Sequence, residues 1–141
     1  MDSKNIVLAG LAVGAGAVHT PVQVQKLFFL IDRNIPKLVE GPHFSFRPYN
    51  YGPFDEAVYR ALEQLACEGL VELVPDYKWT SYRLTAEGQR RGEQLLASLP
   101  SDAVEYIRRV SDFVRSLSFT QLVSSIYNAY PDMRENSVFQ Q

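Results

Sequence analysis

Histidine and cysteine are the side chains that most often bind metal ions or act as nucleophiles, and the 141-residue chain contains His19, His43 and Cys67. Neither histidine has a second ligand four residues away or a cysteine at a spacing that suits a metal. Cys67 falls one residue beyond the apolar stripe of a predicted helix, where a half-buried filler is expected rather than a nucleophile. The chain also lacks a Gly-x-Ser-x-Gly elbow, a phosphate-binding loop and a dinucleotide fingerprint. The sequence therefore predicts a protein that is not an enzyme and that uses no metal or cofactor.

Aromatic side chains are concentrated around a Gly-Pro turn, where their chemistry suits binding. The candidate partner-binding residues are Tyr49, Asn50, Tyr51, Phe54 and Tyr59. Tyrosine and phenylalanine are common anchors of protein interfaces, and a rigid turn lowers the entropic cost of binding. The same rings could instead close the core over an insertion, with Tyr49 as the member that stays exposed.

A second set of residues has the chemistry for contacting nucleic acid. These residues lie on a predicted hairpin and the helix after it: Lys78, Arg83, Arg90 and Arg91. The formal net charge of the chain is −2, and residues 54–69, the helix that would enter a major groove, hold four acidic side chains against one arginine, a net charge of −3. Because phosphate contacts supply most of the affinity for DNA, a solvated face of mixed charge is the simpler interpretation.

Hydrophobic periodicity and capping signals predict the elements that position these residues. Six helices are expected at about 3–15, 21–35, 55–68, 86–98, 102–116 and 119–130, and a hairpin with strands at about 70–74 and 79–84. Thr20, Thr85 and Ser118 are the expected N-caps of the second, fourth and sixth helices, and Ser101 or Asp102 that of the fifth.

Three local features refine this outline. Residues 34–53 are expected to form an ordered insertion in which Phe44 to Phe46 make a short strand. On the second helix, Lys26 is expected to lie off the apolar stripe. Gly88 and Gly92 weaken the fourth helix by about 1 kcal/mol each relative to alanine, which predicts close packing against it.

The order of helix, Gly69, strand, turn and returning strand is typical of the second half of a winged helix-turn-helix. The predicted fold is mostly α, of the α+β class: a winged helix-turn-helix with a two-stranded wing and extra C-terminal helices. Residues 1–131 are expected to form one domain, and residues 132–141 a polar C-terminal tail that is partly disordered beyond Phe139. The two last helices could build a homodimer or pack back on the first helix.

The N-terminal apolar run, residues 6–18, is expected to be a buried helix. It lacks the basic start of a signal peptide and is too short to span a bilayer. The single cysteine fits a reducing compartment. A cytoplasmic protein without membrane contact is therefore expected.

Several short motifs in a fixed order resemble a family of small bacterial proteins. They are Gln25-Lys26-Leu27, the run from Tyr49 through Gly52 to Phe54, the helix end from Leu62 to Leu70, Tyr82 to Thr85, and Tyr130-Pro131. The chain resembles the Panacea domain family, related to the antitoxin SocA, and the YwgA-like proteins, over about residues 5–131.

This resemblance implies a non-enzymatic protein-interaction module of the antitoxin, adaptor or defence-locus type. Its partner would be a toxin, a protease or a subunit of a complex. The alternative is a winged-helix transcriptional regulator that contacts DNA through the wing.

Overall fold

The computed structural model describes residues 1–139, which are mostly helical and include two small antiparallel sheets. The α-helices of this part of the chain are α1 (Ser3–Ala12), α2 (Pro21–Asn34), α3 (Glu56–Cys67), α4 (Ala86–Ala97), α5 (Ser101–Ser116) and α6 (Phe119–Ala129). The strands are β1 (Arg47–Tyr49), β2 (Gly52–Phe54), β3 (Val71–Pro75) and β4 (Thr80–Leu84), and two 3-10 helices cover Pro36–Val39 and Pro131–Arg134. All six predicted helices are present, and the predicted α+β class is confirmed.

Most helix starts follow the capping signals in the sequence. Thr20, Thr85 and Ser118 are N-caps, and each hydroxyl accepts a hydrogen bond from the backbone N–H three residues later. The predicted cap of α5 is wrong: Ser101 is already helical, and Pro100 stands at the N-cap position without a side-chain hydrogen bond.

The core is centred on α1 and α2. α1 packs against α3 and α4, and α2 packs against α5. Every residue of α1 from Ile6 to Ala12 is buried, as its nearly continuous apolar sequence predicts. α2 is buried without interruption from Val24 to Asp32. Lys26, which the sequence places off the apolar stripe, is therefore buried as well, because neighbouring elements cover several faces of this helix.

The insertion between α2 and α3 contains a hairpin, but not at the predicted place. β1 pairs with β2 so that Arg47 faces Phe54 and Tyr49 faces Gly52. The predicted strand at Phe44 to Phe46 is wrong. The backbone N–H of Phe44 donates instead to the carboxylate of Asp32, at 2.8 Å, and its ring is buried.

The second hairpin, β3–β4, follows α3 directly. Gly69 ends α3 with φ +78°, a left-handed conformation that favours glycine. The β4 strand also pairs with His19, two residues before α2, because the backbone groups of His19 and Tyr82 exchange hydrogen bonds of 2.8 and 2.9 Å. This bridge fixes the start of α2 beside the hairpin.

The C-terminal segment lies against the domain as far as it is described. Met133 is buried, and the backbone N–H of Val138 donates to the carbonyl of Asn50 at 3.0 Å. Residues 132–139 are thus in contact with the first hairpin. The expected disorder beyond Phe139 concerns residues outside the described part of the chain. Within residues 1–139, no helix combines the length and the apolar character needed to cross a membrane.

Candidate functional site

A cavity of about 600 Å³ opens where α2, α6 and the two hairpins meet. Its walls are mainly apolar and aromatic. The lining residues are Thr20, Pro21, Val22, Gln23, Gln25, Lys26, Tyr49, Asn50, Tyr51, Gly52, Phe54, Tyr59, Trp79, Leu117, Phe119 and Leu122. All five predicted partner-binding residues are in this set.

The β1–β2 hairpin is held at the cavity by an amide clamp. The side chain of Gln25 donates to the carbonyl of Asp55 at 3.0 Å and accepts from its N–H at 2.9 Å. The carboxylate of Asp55 in turn caps α3 at Ala57 and accepts from the N–H of Ser45 at 2.7 Å. One buried glutamine of α2 thereby fixes both the end of the hairpin and the start of α3.

The segment that enters the hairpin has a second anchor. The carboxylate of Asp32 accepts backbone hydrogen bonds of 2.8 to 3.0 Å from His43 and Phe44. Burial raises the pKa of Asp32, and these two backbone hydrogen bonds oppose the shift. The insertion is thus pinned to α2 at both ends by polar side chains that α2 buries.

Four exposed aromatic rings surround the cavity and are called here the aromatic rim: Tyr49, Tyr51, Trp79 and Phe119. Their exposed fractions are 40%, 45%, 46% and 43%. Tyr51 packs edge-on against Phe119, with ring centroids 5.2 Å apart. The rim therefore joins the first hairpin, the second hairpin and the start of α6.

The ring of Tyr49 packs against two neighbouring side chains, those of Phe54 and Arg47. Its ring lies 4.9 Å from that of Phe54, and the guanidinium of Arg47 lies 4.8 Å from its centroid. Phe54 packs against Tyr59, and both are half-buried. The predicted cluster thus divides into two exposed rings at the rim and two rings that close the inner wall.

Asn50 has a different role in this arrangement. Its carbonyl accepts hydrogen bonds from the C-terminal segment, through the N–H of Val138 and the hydroxyl of Ser137 at 3.3 Å. The hydroxyl of Tyr127 donates to that of Ser137 at 2.5 Å. The tip of the β1–β2 hairpin is therefore held in place by hydrogen bonds from residues that are distant in sequence.

Lys26 is the one charged residue among those that line the cavity within residues 1–139. Its side chain is 3% exposed, and its ammonium lies near Gly52 and contacts the carbonyl of Pro53 at 3.4 Å. Burial lowers the pKa of Lys26 to about 7. Sequence reasoning missed this residue, although its position directly before the apolar run Leu27 to Ile31 was a signal that it is buried.

Trp79 and Phe119 were also missed as site residues. Trp79 begins the predicted returning strand, and Phe119 begins the predicted sixth helix. An aromatic residue at the first position of each predicted element is the signal in the sequence that could have found them. Only the packing of the β3–β4 hairpin and α6 beside the first hairpin brings them to the cavity.

The predicted nucleic-acid residues lie on the second hairpin and α4, and three of them are paired with glutamates. Arg83 contacts Glu72 at 2.9 Å across the hairpin. Arg90 and Arg91 both contact Glu87, the latter at 3.4 Å. Lys78 is exposed in the turn between β3 and β4. The four residues do not form a concentrated basic patch.

The residues considered for metal or nucleophilic chemistry lie apart from one another. No group of three or more histidine, cysteine or acidic side chains in the described chain could hold a metal ion. Cys67 is exposed at the end of α3, so the expectation of a half-buried filler is wrong. The His43 ring lies 2.7 Å from the carbonyl of Val39.

His19 is fully buried, and neither of its ring nitrogens has a hydrogen-bond partner among residues 1–139. Burial, with a smaller contribution from the charge of Arg115, lowers its pKa to about 4, and the nearby backbone of Ala17, outside hydrogen-bond geometry, opposes the shift. The ring is therefore neutral near pH 7 and behaves as a core residue.

Comparison with protein-family models finds no match, and comparisons with curated proteins and with solved structures find none either.

Proposed function

We propose that this chain is a non-enzymatic protein-interaction module that binds its partner at the aromatic rim. The observation that carries this proposal is the set of four exposed aromatic rings around a cavity that exists without a partner. Large aromatic side chains dominate the energetics of protein interfaces, and a preformed site avoids the cost of ordering flexible groups. The partner would place an apolar side chain between the rings.

The order and pairing of elements support a winged helix-turn-helix as the scaffold. α1 is followed by a bridging residue, then by two helices and a hairpin. The bridge from His19 to Tyr82 gives the β3–β4 hairpin a third pairing position, beside the start of α2. The first hairpin is then an insertion between the second and third helices of this unit, and α5 and α6 are additions to it.

The resemblance to Panacea and YwgA-like proteins is consistent with this proposal. The Tyr-Gly-Pro motif that carries part of the resemblance is the tip of the rim, at Tyr51 to Pro53. A toxin, a protease or a subunit of a complex would be the partner. The role would be that of an antitoxin, an adaptor or a regulatory component in the cytoplasm.

DNA binding through the wing has less support. Arg83, Arg90 and Arg91 are already paired with glutamates. Breaking or sharing these pairs would offset part of the gain from phosphate contacts. The exposed face of α3 also carries Glu56, Glu63 and Glu68.

Affinity purification of the tagged chain from its own cells tests the proposal. The bait is the wild type, the rim double variant Tyr49→Ser/Tyr51→Ser, or Tyr77→Ser. Tyr77 is a matched control, because it is 94% exposed in the wing turn and does not line the cavity. We expect one stoichiometric protein with the wild type and with Tyr77→Ser, and a loss of about 2 kcal/mol or more in affinity for it in the rim variant.

The charge-reversal variant Arg83→Glu/Arg91→Glu separates the two functions. It should keep the protein partner. Recovery of nucleic acid instead, released as salt rises and lost in this variant, would replace the proposal by the regulator function. Melting temperatures must accompany both experiments, since a large drop for the rim variant would show that its tyrosines stabilise the fold.

A further inference from the structure

The cavity contains a buried cation without an anionic partner. The ammonium of Lys26 has three hydrogens to donate, and within residues 1–139 its one hydrogen bond is the 3.4 Å contact to the carbonyl of Pro53. No carboxylate of the described chain lies within 4.0 Å of it, whereas ten other cationic groups of this chain have such a partner. Burying a charge in this way is unfavourable unless something pairs with it.

The other residues that line the cavity indicate what kind of group could pair with the ammonium of Lys26. Its lining contains no aspartate or glutamate, so the site has a net positive charge whenever Lys26 is protonated. Its other polar groups are largely engaged: Gln25 is occupied by Asp55, and the side chain of Gln23 completes the cap of α2. Lys26 is thus the charged group of the lining that can recognise an anionic ligand atom.

The size and walls of the cavity restrict the ligand further. A volume of about 600 Å³ is in the range of cavities that hold small organic molecules. Apolar and aromatic walls around one buried charged group favour a molecule with an apolar body and a single charged end. Because Lys26 is almost fully covered, that end must enter the cavity to reach it.

We propose that the cavity binds a small organic carboxylate, with its apolar body between the rim rings and its carboxylate paired with the ammonium of Lys26. This inference goes beyond the protein-interaction function, and it does not require a partner protein. The pair would be a charge-assisted hydrogen bond shielded from water, which is stronger than a neutral one. The ligand would also contact the tyrosines proposed to bind the partner, so the two would compete for the rim.

Proton uptake should accompany binding. The pKa of Lys26 in the free protein is lowered to about 7, and an adjacent carboxylate raises it. The other titratable side chains of the lining are Tyr49, Tyr51 and Tyr59. Affinity for a carboxylate should therefore fall by about tenfold between pH 7 and pH 8.5.

The single tryptophan of the chain supplies the measurement, because Trp79 lines the cavity. Its fluorescence is followed while 4-phenylbutyrate, decanoate or the neutral amide of each is added, with calorimetry as a second readout. At pH 6.5 we expect each acid to bind about tenfold to a hundredfold more tightly than its amide. In Lys26→Met this preference should disappear.

Lys37→Met is the matched control, because it removes the same charge from an exposed position outside the cavity and should keep the preference. Equal affinity for acid and amide, no saturable binding of either acid at millimolar concentration, or a preference that survives in Lys26→Met would each overturn the proposal. A phenylalanine-ended peptide with a free carboxylate that outcompetes both acids would assign the site to a chain end instead. None of these measurements includes a partner protein, so they leave the proposed function to be judged on its own experiment.

Discussion

At the scale of single residues, the main feature is a lysine kept where its charge is unfavourable. Lys26 is covered on all sides yet has no counter-ion in the described chain. A methionine of similar length would fill the same space without a desolvation penalty. A residue that lowers stability while lining a cavity is the pattern expected of a binding site, where function and stability conflict.

The first prediction is that Lys26→Met stabilises the folded protein at neutral pH. The folded-state pKa of Lys26 is about 7, below its ordinary 10.5, so the charged form is disfavoured by folding. This penalty is absent above pH 10.5, grows as pH falls towards 7 and is constant below 7. We expect a gain of about 3 to 5 kcal/mol at pH 6.5, measured by urea unfolding.

The gain should shrink towards zero near pH 10.5, and Lys37→Met should show no such trend. A loss of stability in Lys26→Met at pH 6.5 would indicate that the lysine has a structural partner. That result would remove the stability argument for a binding role.

The second prediction concerns His19, whose folded-state pKa of about 4 lies below the ordinary 6.5. Above pH 6.5 the ring is neutral in both states. As pH falls from 6.5 to 4, the unfolded chain takes up a proton that the folded chain does not, so stability falls by about 3 kcal/mol in total. His19→Leu should lose this part of the acid sensitivity in urea unfolding between pH 7.5 and pH 4.

At pH 7.5 the two proteins should differ little in stability, since leucine replaces an imidazole whose nitrogens make no hydrogen bonds. An unchanged acid dependence in His19→Leu would mean that the ring can be charged in the folded state.

At the scale of elements, α4 shows how a helix with poor intrinsic propensity is retained for packing. A Cβ placed on Gly88 would lie 2.0 Å from the carbonyl oxygen of Leu70. At Gly92 it would lie 2.6 Å from the Cβ of Ala12 and 2.7 Å from the oxygen of Leu8. The close packing predicted from these two glycines is confirmed, and it is what allows α4 to lie directly on α1.

The third prediction follows from this contact: Gly88→Ala should destabilise the protein by about 2 kcal/mol or more, although alanine is the better helix former. The reason is that the blocking atom belongs to the backbone and cannot move without disturbing the end of α3. Thermal and urea unfolding measure the effect. Gln94→Ala, at an exposed position of the same helix, is the control and should be neutral or slightly stabilising.

The insertion between α2 and α3 contains a strand prediction, at Phe44 to Phe46, that the structure contradicts. The alternation of Phe44 and Phe46 with polar neighbours has the period of a strand, but the backbone there bonds to Asp32 instead. The carboxylate of Asp32 on α2 accepts the hydrogen bond that a neighbouring strand would otherwise accept from the N–H of Phe44. Nothing in the local sequence of the insertion indicates that α2 supplies such an acceptor.

At the scale of the whole molecule, the C-terminal segment and the first hairpin form one unit although they are distant in sequence. The N–H of Val138 and the hydroxyl of Ser137 both bond to Asn50. The side chain of Asn136 donates to the carbonyl of Pro48 at 3.3 Å. The rim is thus supported by a segment that by its polar sequence was expected to be a tail.

The fourth prediction is that a chain shortened to end at Glu135 has a looser rim. Amide hydrogen exchange in residues 47–54 should become about fivefold to tenfold faster, because bonds that hold the hairpin tip are lost. The β3–β4 hairpin, residues 71–84, is the internal control and should exchange as before. Equal protection of the first hairpin in both chains would show that the segment does not brace the rim.

The sequence by itself determined the local order of this protein. Apolar periodicity placed the six helices, threonine and serine placed the caps of α2, α4 and α6, and Gly88 with Gly92 indicated close packing. These features were readable because each depends on residues within one or two turns of one another. The aromatic cluster around the Gly-Pro turn was also visible, since its members are close in sequence.

Only the tertiary structure decided which residues share the cavity and which charge is buried in it. Periodicity states which side chains lie on one face of a helix, but not how many of its faces the neighbours cover. α2 is contacted by α1, α3, α5 and both hairpins, and so Lys26 is buried although it lies off the apolar stripe of the helix. Trp79 and Phe119 reach the same cavity from elements far apart in the chain, because long-range packing places their ends together.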